Sequence, residues 1–310
     1  YTENLARADF AGVYAGQSAL PLPAEPMYYL TSDVLNGCTV YDFETNKTTG
    51  IYDLEKRDWD ESIAASIGLK TGIFPKTYEC GSIVASVSEK GAAETGLAVG
   101  TPVVAGGGDC QLGCVGVGVV DANQAAIFGG SFWQYEYNTN EAKTDEHCRV
   151  RVNCHSVPGM WQYEALAFKP GMVMRWYRDA FCTAEKEHSK TCGRDPYDLM
   201  NEKAKDIPAG CYGMMCTFSD VMNFINWKHA APTFTNFDFD AEKFNKYTFY
   251  RAIMENTALL AKGHMDLVYE ATGNRPSEGL VLSLGEEEPS GKLKKIRTNI
   301  EFLLTLQPGS

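Results

Sequence analysis

Apolar and polar residues follow two different periods along this chain, which predict a mixture of helices and strands. Apolar residues three or four positions apart predict helices, whereas short apolar or β-branched runs between glycines predict strands. The predicted helices are 62–69, 88–96, 172–182, 197–204 and 246–270. The predicted strands are 81–87, 101–105, 124–128, 132–137 and 279–284. Elements mixed in this way indicate an α/β chain.

The first 60 residues show no such pattern, and the prolines between positions 21 and 26 exclude a long helix there. The chain has 310 residues, and a prior of roughly one domain per 150 residues predicts two domains. The glycine-rich segment 106–130 is interpreted as the junction between them. We therefore predict one domain over residues 1–122 and a second over residues 123–310.

The charge and the cysteine content exclude several classes of partner and compartment. The chain has 28 Lys and Arg against 40 Asp and Glu, a net charge of −12, which argues against nucleic acid or an anionic membrane as a partner. No apolar run approaches the roughly 18 to 20 residues that cross a bilayer, and no signal peptide is visible. Ten scattered cysteines are expected to be buried thiols in a reducing compartment, which predicts a cytoplasmic protein.

A carboxylate follows three glycines at the end of the short buried strand predicted over residues 101–105. Glycines 106–108 let a backbone turn and let a ligand approach closely. Asp109, directly behind them, could accept a proton from a bound hydroxyl. The alternative is that Asp109 only caps the helix that begins here, and the local pattern leaves both interpretations open.

A second glycine turn, Gly129-Gly130-Ser131, lies between the two strands predicted over residues 124–137. Backbone N–H groups of such a turn can bind a phosphate, although a plain hairpin turn is the alternative. One acidic turn and one hydroxyl-bearing turn close together favour phosphoryl transfer, which needs positioning, a metal and a base.

Several longer sequence segments resemble those of a known protein family and occur in the same order as in that family. They are residues 106–120 (GGGDCQLGCVGVGVV), 128–134 (FGGSFWQ), 149–155 (RVRVNCH), 174–182 (MRWYRDAFC), 218–220 (FSD) and 229–234 (HAAPTF). Together they resemble the FGGY carbohydrate kinases over roughly residues 40–260. The resemblance implies an actin-like ATPase (ribonuclease H-like) fold with two lobes. It also implies ATP-dependent phosphorylation of a primary hydroxyl on a small, open-chain, sugar-like substrate, with Mg²⁺ bound beside ATP.

The resemblance also implies roles for individual residues. Asp109 would be the general base, and Gln111 would lie near the substrate or the phosphates. The nucleotide candidates are Gly108, Gly129, Gly130, Ser131, Gly171 and Arg175, with the amides of residues 130 and 131 facing the phosphates. Trp176 is interpreted as a core residue. A further implied partner is the phosphocarrier protein of the sugar phosphotransferase system.

Two departures from the family pattern concern its ends. The family begins with an Asp-x-Gly-Thr phosphate motif, which this chain lacks, and its C-terminal Gly-Gly-Gly-Ser-Lys turn is replaced by 285–292 (GEEEPSGK). We therefore expect a central fragment. Residues 1–122 would be the C-terminal part of the first lobe, which is incomplete, and residues 123–310 a second lobe truncated at its end. Little or no kinase activity is expected of this chain alone, so a noncatalytic sugar-binding or regulatory module is the alternative.

A zinc site is a further alternative, because His147, Cys148, Cys154 and His155 bracket a strand-like segment. The two cysteines share one face of such a strand and the two histidines share the other. The four side chains could not converge without a bend, so no metal site is assigned within the protein.

Overall fold

The computed structural model describes residues 52–68, 77–147, 149–167, 169–219, 229–276 and 281–284. Three features of the sequence lie outside these residues: the proline cluster before position 27, Cys148 of the zinc hypothesis, and the triple-glutamate segment after residue 284.

The described helices and strands alternate along the chain in the mixed order that the sequence predicts. The helices are α1 (Glu61–Ser66), α2 (Glu89–Thr95), α3 (Asp109–Val117), α4 (Pro170–Phe181), α5 (Thr183–Cys192), α6 (Pro196–Ala204) and α7 (Lys246–Thr272). The strands are β1 (Tyr52–Asp53), β2 (Asp58–Trp59), β3 (Ile83–Ser86), β4 (Pro102–Val104), β5 (Ala125–Gly129), β6 (Trp133–Thr139), β7 (Arg151–Cys154), β8 (Trp161–Ala167), β9 (Met215–Ser219), β10 (His229–Thr235) and β11 (Val281–Leu284).

The chain divides into two compact units. The first unit takes the described residues up to Ala122 together with Asn138–Lys143 and Arg151–Tyr163. The second takes Asn123–Tyr137, Thr144–Val150 and the described residues from Glu164 onward. The chain first passes from one unit to the other between residues 122 and 123 and then returns twice. The assignment of residues 1–122 and 123–310 to two kinase lobes stays a prediction.

The largest sheet among the described residues has the strand order β11–β5–β6–β8–β7. β11 runs parallel to β5, with Val281 opposite Ala126, and β5 runs antiparallel to β6, with Gly129 opposite Trp133. The Gly-Gly-Ser turn therefore closes a hairpin between β5 and β6, as the sequence predicts.

In the first unit, local signals determine where helix α2 begins and ends. The Ser88 hydroxyl accepts a hydrogen bond from the Gly91 N–H, and Gly96 ends the helix in the left-handed conformation at φ 77°. β3 pairs antiparallel with β4, with Ile83 opposite Val104. β4 was expected to be buried, but Val104 is 38% exposed and only the following Ala105 is buried. A three-residue strand paired on one side has too little neighbouring structure to cover both of its faces.

In the second unit, apolar side chains from α4, α6, α7 and β9 form one core. Its fully buried members include Met200, Phe218 and Ile253. Helix α7 is 27 residues long, and the Asn245 side chain caps it by accepting from the Tyr247 N–H. No helix in the described part of the chain is long and apolar enough to cross a membrane.

The eight described cysteines are thiols outside any disulfide, and six of them are buried as expected, whereas Cys80 is half-buried and Cys192 is exposed. Several are buried in the cores of the two units, and burial raises the pKa of the Cys154, Cys211 and Cys216 thiols to about 12. These three thiols therefore stay protonated at neutral pH, which keeps them unreactive.

Candidate functional site

The acidic glycine turn lies in the first unit, between β4 and α3. Gly106, Gly107 and Gly108 connect the two elements without a positive φ at any of the three positions. At Gly107 a Cβ would overlap the hydroxyl oxygen of Ser156, so a larger residue there would require the Ser156 side chain to rotate away. The glycine run thus allows the turn to approach the loop between β7 and β8 closely.

Asp109 is the first residue of α3, and its carboxylate is exposed. The N-cap residue is Gly108, which has no side chain, so the alternative that Asp109 caps the helix is wrong. One carboxylate oxygen of Asp109, Oδ1, accepts from the Cys110 N–H at 2.8 Å. The carboxylate is therefore held at one oxygen and is otherwise open to solvent, which suits a group that takes a proton.

Gln111 lies two residues later and is buried, with 1% of its surface exposed. Its Nε2 donates to Oε1 of Gln162 in β8 at 2.8 Å. Its own Oε1 is buried without a hydrogen-bond partner among the described residues. The side chain expected near the substrate is therefore turned into the first unit and bonded to a strand.

His155 lies in the loop that packs against Gly107. Its Nδ1 accepts from the Val157 N–H at 2.9 Å, and its backbone oxygen accepts from Arg57 at 3.1 Å. Burial and the nearby Arg57 charge lower the pKa of His155 to about 4. The imidazole is therefore neutral at neutral pH and has a structural role in the loop.

The second glycine turn lies in the second unit, where the first residues of α4 pack against it. The Lys169 backbone is left-handed (φ 76°) at the N-cap, and Pro170 begins the helix. A Cβ on Gly171 would overlap the Gly130 carbonyl oxygen and lie 3.2 Å from the Ser131 Cα. Only glycine at position 171 allows the helix to contact the turn this closely.

Arg175 lies one helical turn after Gly171 and contacts the same glycine turn. Its Nη2 donates to the Ser131 hydroxyl at 2.7 Å, and the arginine side chain is exposed. The structure therefore brings together four of the predicted nucleotide residues, which are Gly130, Ser131, Gly171 and Arg175. We call these four residues the serine–arginine cluster.

The amides of the turn differ in how they are used. The Gly130 N–H donates to the Phe132 carbonyl oxygen at 2.8 Å. The Ser131 N–H has no acceptor among the residues that the structure describes. Gly129 closes β5 opposite Trp133. An anion at this turn would therefore meet the Ser131 amide and hydroxyl and the Arg175 guanidinium.

The remaining charges on α4 are paired with one another. Arg178 and Lys186 both contact the Asp179 carboxylate, at 3.1 and 2.8 Å. These two cations lower the pKa of Asp179 to about 2. Arg175 donates to the neutral Ser131 hydroxyl instead, so its positive charge remains available to an anion.

Trp176, which the sequence predicts to be a core residue, is 48% exposed. It packs edge-on against Tyr177 and Phe181, with ring centroids 6.2 and 5.6 Å away. The buried face of α4 carries Val173 and Tyr177 instead. The core interpretation of Trp176 is wrong because a tryptophan adjacent to that face points away from it.

No group of three or more His, Cys, Asp or Glu side chains among the described residues could hold a metal ion. Cys148 lies outside these residues, so the four-ligand zinc hypothesis is not tested by this observation.

Two contacts of the acidic turn were not predicted from the sequence. Ser156 and Gln162 reach the turn and α3 from the loop after β7 and from β8. Gln162 is 51 residues from Gln111, and no local spacing connects such distant positions. Polar and apolar residues alternate at the start of β8. This alternation is the signal that could have shown that the strand carries buried polar side chains.

Comparison with known proteins identifies related kinases. Residues 26–116 match the profile of the FGGY family of carbohydrate kinases, N-terminal domain. The chain is 43% identical to an autoinducer-2 kinase from Photorhabdus laumondii over 262 residues, which are 84% of this chain and 49% of that protein. It is also 43% identical to an autoinducer-2 kinase from Yersinia pestis over 246 residues, 79% of this chain and 46% of that protein. The chain thus spans about half the length of these relatives.

Solved structures of sugar kinases have the same fold. A xylulose kinase from Rhodospirillum rubrum matches with a TM-score of 0.61 and 19% identity, over 82% of this chain and 49% of that one. A glycerol kinase from Plasmodium falciparum, solved with ADP, matches with a TM-score of 0.59 and 16% identity, over 76% of this chain and 44% of that one. These matches confirm the predicted actin-like ATPase fold.

Proposed function

We propose that this chain belongs to the FGGY family of carbohydrate kinases and carries the general base and the phosphate contacts for ATP-dependent phosphorylation of a primary hydroxyl. The substrate is a small sugar-like molecule, and we propose the open-chain precursor of autoinducer-2. The reason is that two relatives 43% identical to this chain are named autoinducer-2 kinases. The reaction would then process a quorum-sensing signal.

In the proposed reaction, Asp109 removes the proton from the substrate hydroxyl. The hydroxyl oxygen attacks the γ-phosphorus of ATP in line, and the bond from that phosphorus to the β,γ-bridging oxygen breaks. The products are a phosphate monoester and ADP, and the proton on Asp109 then passes to water. Asp109 suits this role because its carboxylate is exposed and held at one oxygen by the Cys110 amide.

The serine–arginine cluster is the observation that carries the nucleotide assignment. It presents an arginine, a serine hydroxyl and a backbone amide at one turn, and these donors suit phosphate oxygens. The chain has a net charge of −12, so an anionic ligand needs such a local concentration of donors.

Mg²⁺ would supply charge neutralisation on the phosphate oxygens when it is bound with ATP. Protein sites for Mg²⁺ usually combine one or two carboxylates with substrate phosphates. The described residues include no cage of three ligands, which is compatible with an ion held chiefly by the nucleotide and water.

Two further assignments concern the compartment and a binding partner, and of these only the partner rests on the resemblance to the family. We assign the protein to the cytoplasm, because its described cysteines are thiols and such thiols persist in a reducing compartment. We also propose the phosphocarrier protein of the sugar phosphotransferase system as a binding partner.

Calorimetric titration with Mg·ADP tests the assignment of the nucleotide. Arg175→Ala removes the cationic donor of the serine–arginine cluster and should raise the Kd at least about tenfold, because a hydrogen bond to a charged group contributes about 1.5–3 kcal/mol. Arg178→Ala is the matched control on the same helix, since Arg178 pairs with Asp179, and should leave the Kd unchanged.

Equal affinities of the wild type and Arg175→Ala would contradict the assignment. Binding of a sugar without any binding of nucleotide would instead support a noncatalytic sugar-binding or regulatory module.

A further inference from the structure

Helix α3, which begins with the proposed base, is weak by itself. It contains Gly113 and Gly116 in its interior, and each glycine costs about 1 kcal/mol relative to alanine. Its N-cap, Gly108, offers no side-chain hydrogen bond, and its C-cap is Gly118 in the left-handed conformation. Nine residues of this composition would not stay helical alone, so contacts from elsewhere in the first unit must hold α3.

Gln162 in β8 supplies such contacts from one buried amide, which is 0% exposed. Its Oε1 accepts from Gln111 Nε2 at 2.8 Å in the first turn of α3. Its Nε2 donates to Cys114 Sγ at 3.1 Å in the middle of the helix and to Asn138 Oδ1 at 2.9 Å. One side chain thus bonds two successive turns of the helix.

Asn138 extends the same network to the other end of α3. This side chain is also 0% exposed, and its Nδ2 donates to the Val119 carbonyl oxygen at 3.0 Å. Val119 directly follows the glycine that ends α3. The two amides therefore contact the beginning, the middle and the end of the helix from β6 and β8.

We infer that Gln162 is a positioning residue that acts on Asp109 through Gln111 and α3. Its directional hydrogen bonds fix the rotation of the helix, and Asp109 is the first residue of that helix. Apolar packing alone would fix this rotation poorly, because non-directional contacts tolerate small rotations. An effect of Gln162 on catalysis rests on the proposed role of Asp109. The hydrogen bonds that hold α3, which we call the clamp, do not depend on that role.

The test uses the complete 310-residue chain and needs neither nucleotide nor turnover. Gln162→Leu keeps the size of the side chain and removes all three hydrogen bonds. Tyr163→Phe is the matched control, because the Tyr163 hydroxyl donates a partly buried hydrogen bond to the Lys143 carbonyl oxygen from the next position on the same strand, which faces the opposite side.

Two readouts follow the helix and the carboxylate separately. Amide hydrogen exchange measured by NMR reports the opening of α3, and the ¹³Cγ signal of Asp109, assigned by its loss in Asp109→Asn, reports the surroundings of the carboxylate. In Gln162→Leu we expect exchange at residues 112–117 to accelerate at least about tenfold and the Asp109 signal to shift. In Tyr163→Phe neither should change.

Gln111→Leu separates positioning from a general loss of stability. It removes only the bond at the first turn and leaves the Gln162 contacts with Cys114 and Asn138 in place. Exchange at residues 112 and 113 should accelerate and the Asp109 signal should shift, while residues 116 and 117 stay protected. This variant decides the inference even where Gln162→Leu does not fold.

An unchanged Asp109 signal in folded Gln162→Leu or in Gln111→Leu would overturn the inference, as would equal acceleration along the whole helix in Gln111→Leu. These results do not depend on nucleotide binding. If Arg175→Ala leaves the affinity for Mg·ADP unchanged while α3 responds as expected, the proposed function fails and the clamp stands.

Discussion

Arg175 and Ser131 are 44 residues apart in the sequence, and their side chains are 2.7 Å apart in the second unit. Neither residue is unusual alone, since an exposed arginine and a turn serine are common on protein surfaces. What distinguishes them is the glycine at position 171, which brings α4 against the turn. At the scale of single residues, the candidate phosphate site is thus a consequence of one missing Cβ.

Trp176 gives a prediction at the same scale. Trp176→Ala should lower the free energy of unfolding by only about 1 kcal/mol, because the side chain is 48% exposed and loses few buried contacts. Phe218→Ala is the comparison within the same unit. Phe218 is fully buried, so the loss should be about 3–5 kcal/mol. Urea unfolding of both variants measures the difference.

A loss of several kcal/mol in Trp176→Ala would restore the core interpretation. The sequence alone favours that interpretation, because Met172 and Trp176 are four residues apart and so share one face of a helix. Both are exposed. The spacing of apolar residues identifies a helix. It does not show which of two adjacent faces of that helix is packed against another element.

Two helices illustrate how elements depend on glycine in opposite ways. In α4, Gly171 lies against the Gly130 carbonyl group, and its missing side chain permits the contact. In α3, Gly116 lies in the helix interior with nothing within 4 Å of the position that a Cβ would take. The first glycine is required by packing and the second is a cost in helix propensity.

Alanine substitutions at these two glycines should therefore have opposite effects. Gly171→Ala should destabilise the protein by about 1–3 kcal/mol, because the added methyl group overlaps the turn. Gly116→Ala should stabilise it by about 1 kcal/mol. The two melting temperatures, measured against the wild type, should move in opposite directions. A fall in both would show that α3 needs Gly116 for packing after all.

The helices that the sequence predicts best are those with local signals at their ends. Ser88 and Gly96 mark both ends of α2, and the predicted range of α7 ends two residues before the observed one. Strands β8, β9 and β10 were not predicted, although β9 and β10 are consecutive strands that pair with each other. The contact of Gln162 with Gln111 was missed because a pairing across 51 residues leaves no periodic signal.

At the scale of the whole molecule, the resemblance to a family indicates a fold and a reaction, whereas composition does not. Composition and a charge of −12 exclude nucleic acid and anionic membranes as expected partners, but they do not indicate a reaction. The resemblance implied the fold, and matches to solved sugar kinases with TM-scores near 0.6 confirm it. It also suggested four residues that the structure brings together, although only the geometry showed that Gly130 uses its amide within the hairpin.

The central claim is that the turn at residues 129–131 holds the phosphates of a nucleotide. The most direct measurement is a crystal structure of the protein soaked with Mg·ADP. We predict phosphate oxygens within hydrogen-bond distance of the Ser131 amide and hydroxyl and of the Arg175 guanidinium. Phosphates bound away from residues 129–131 would contradict the claim.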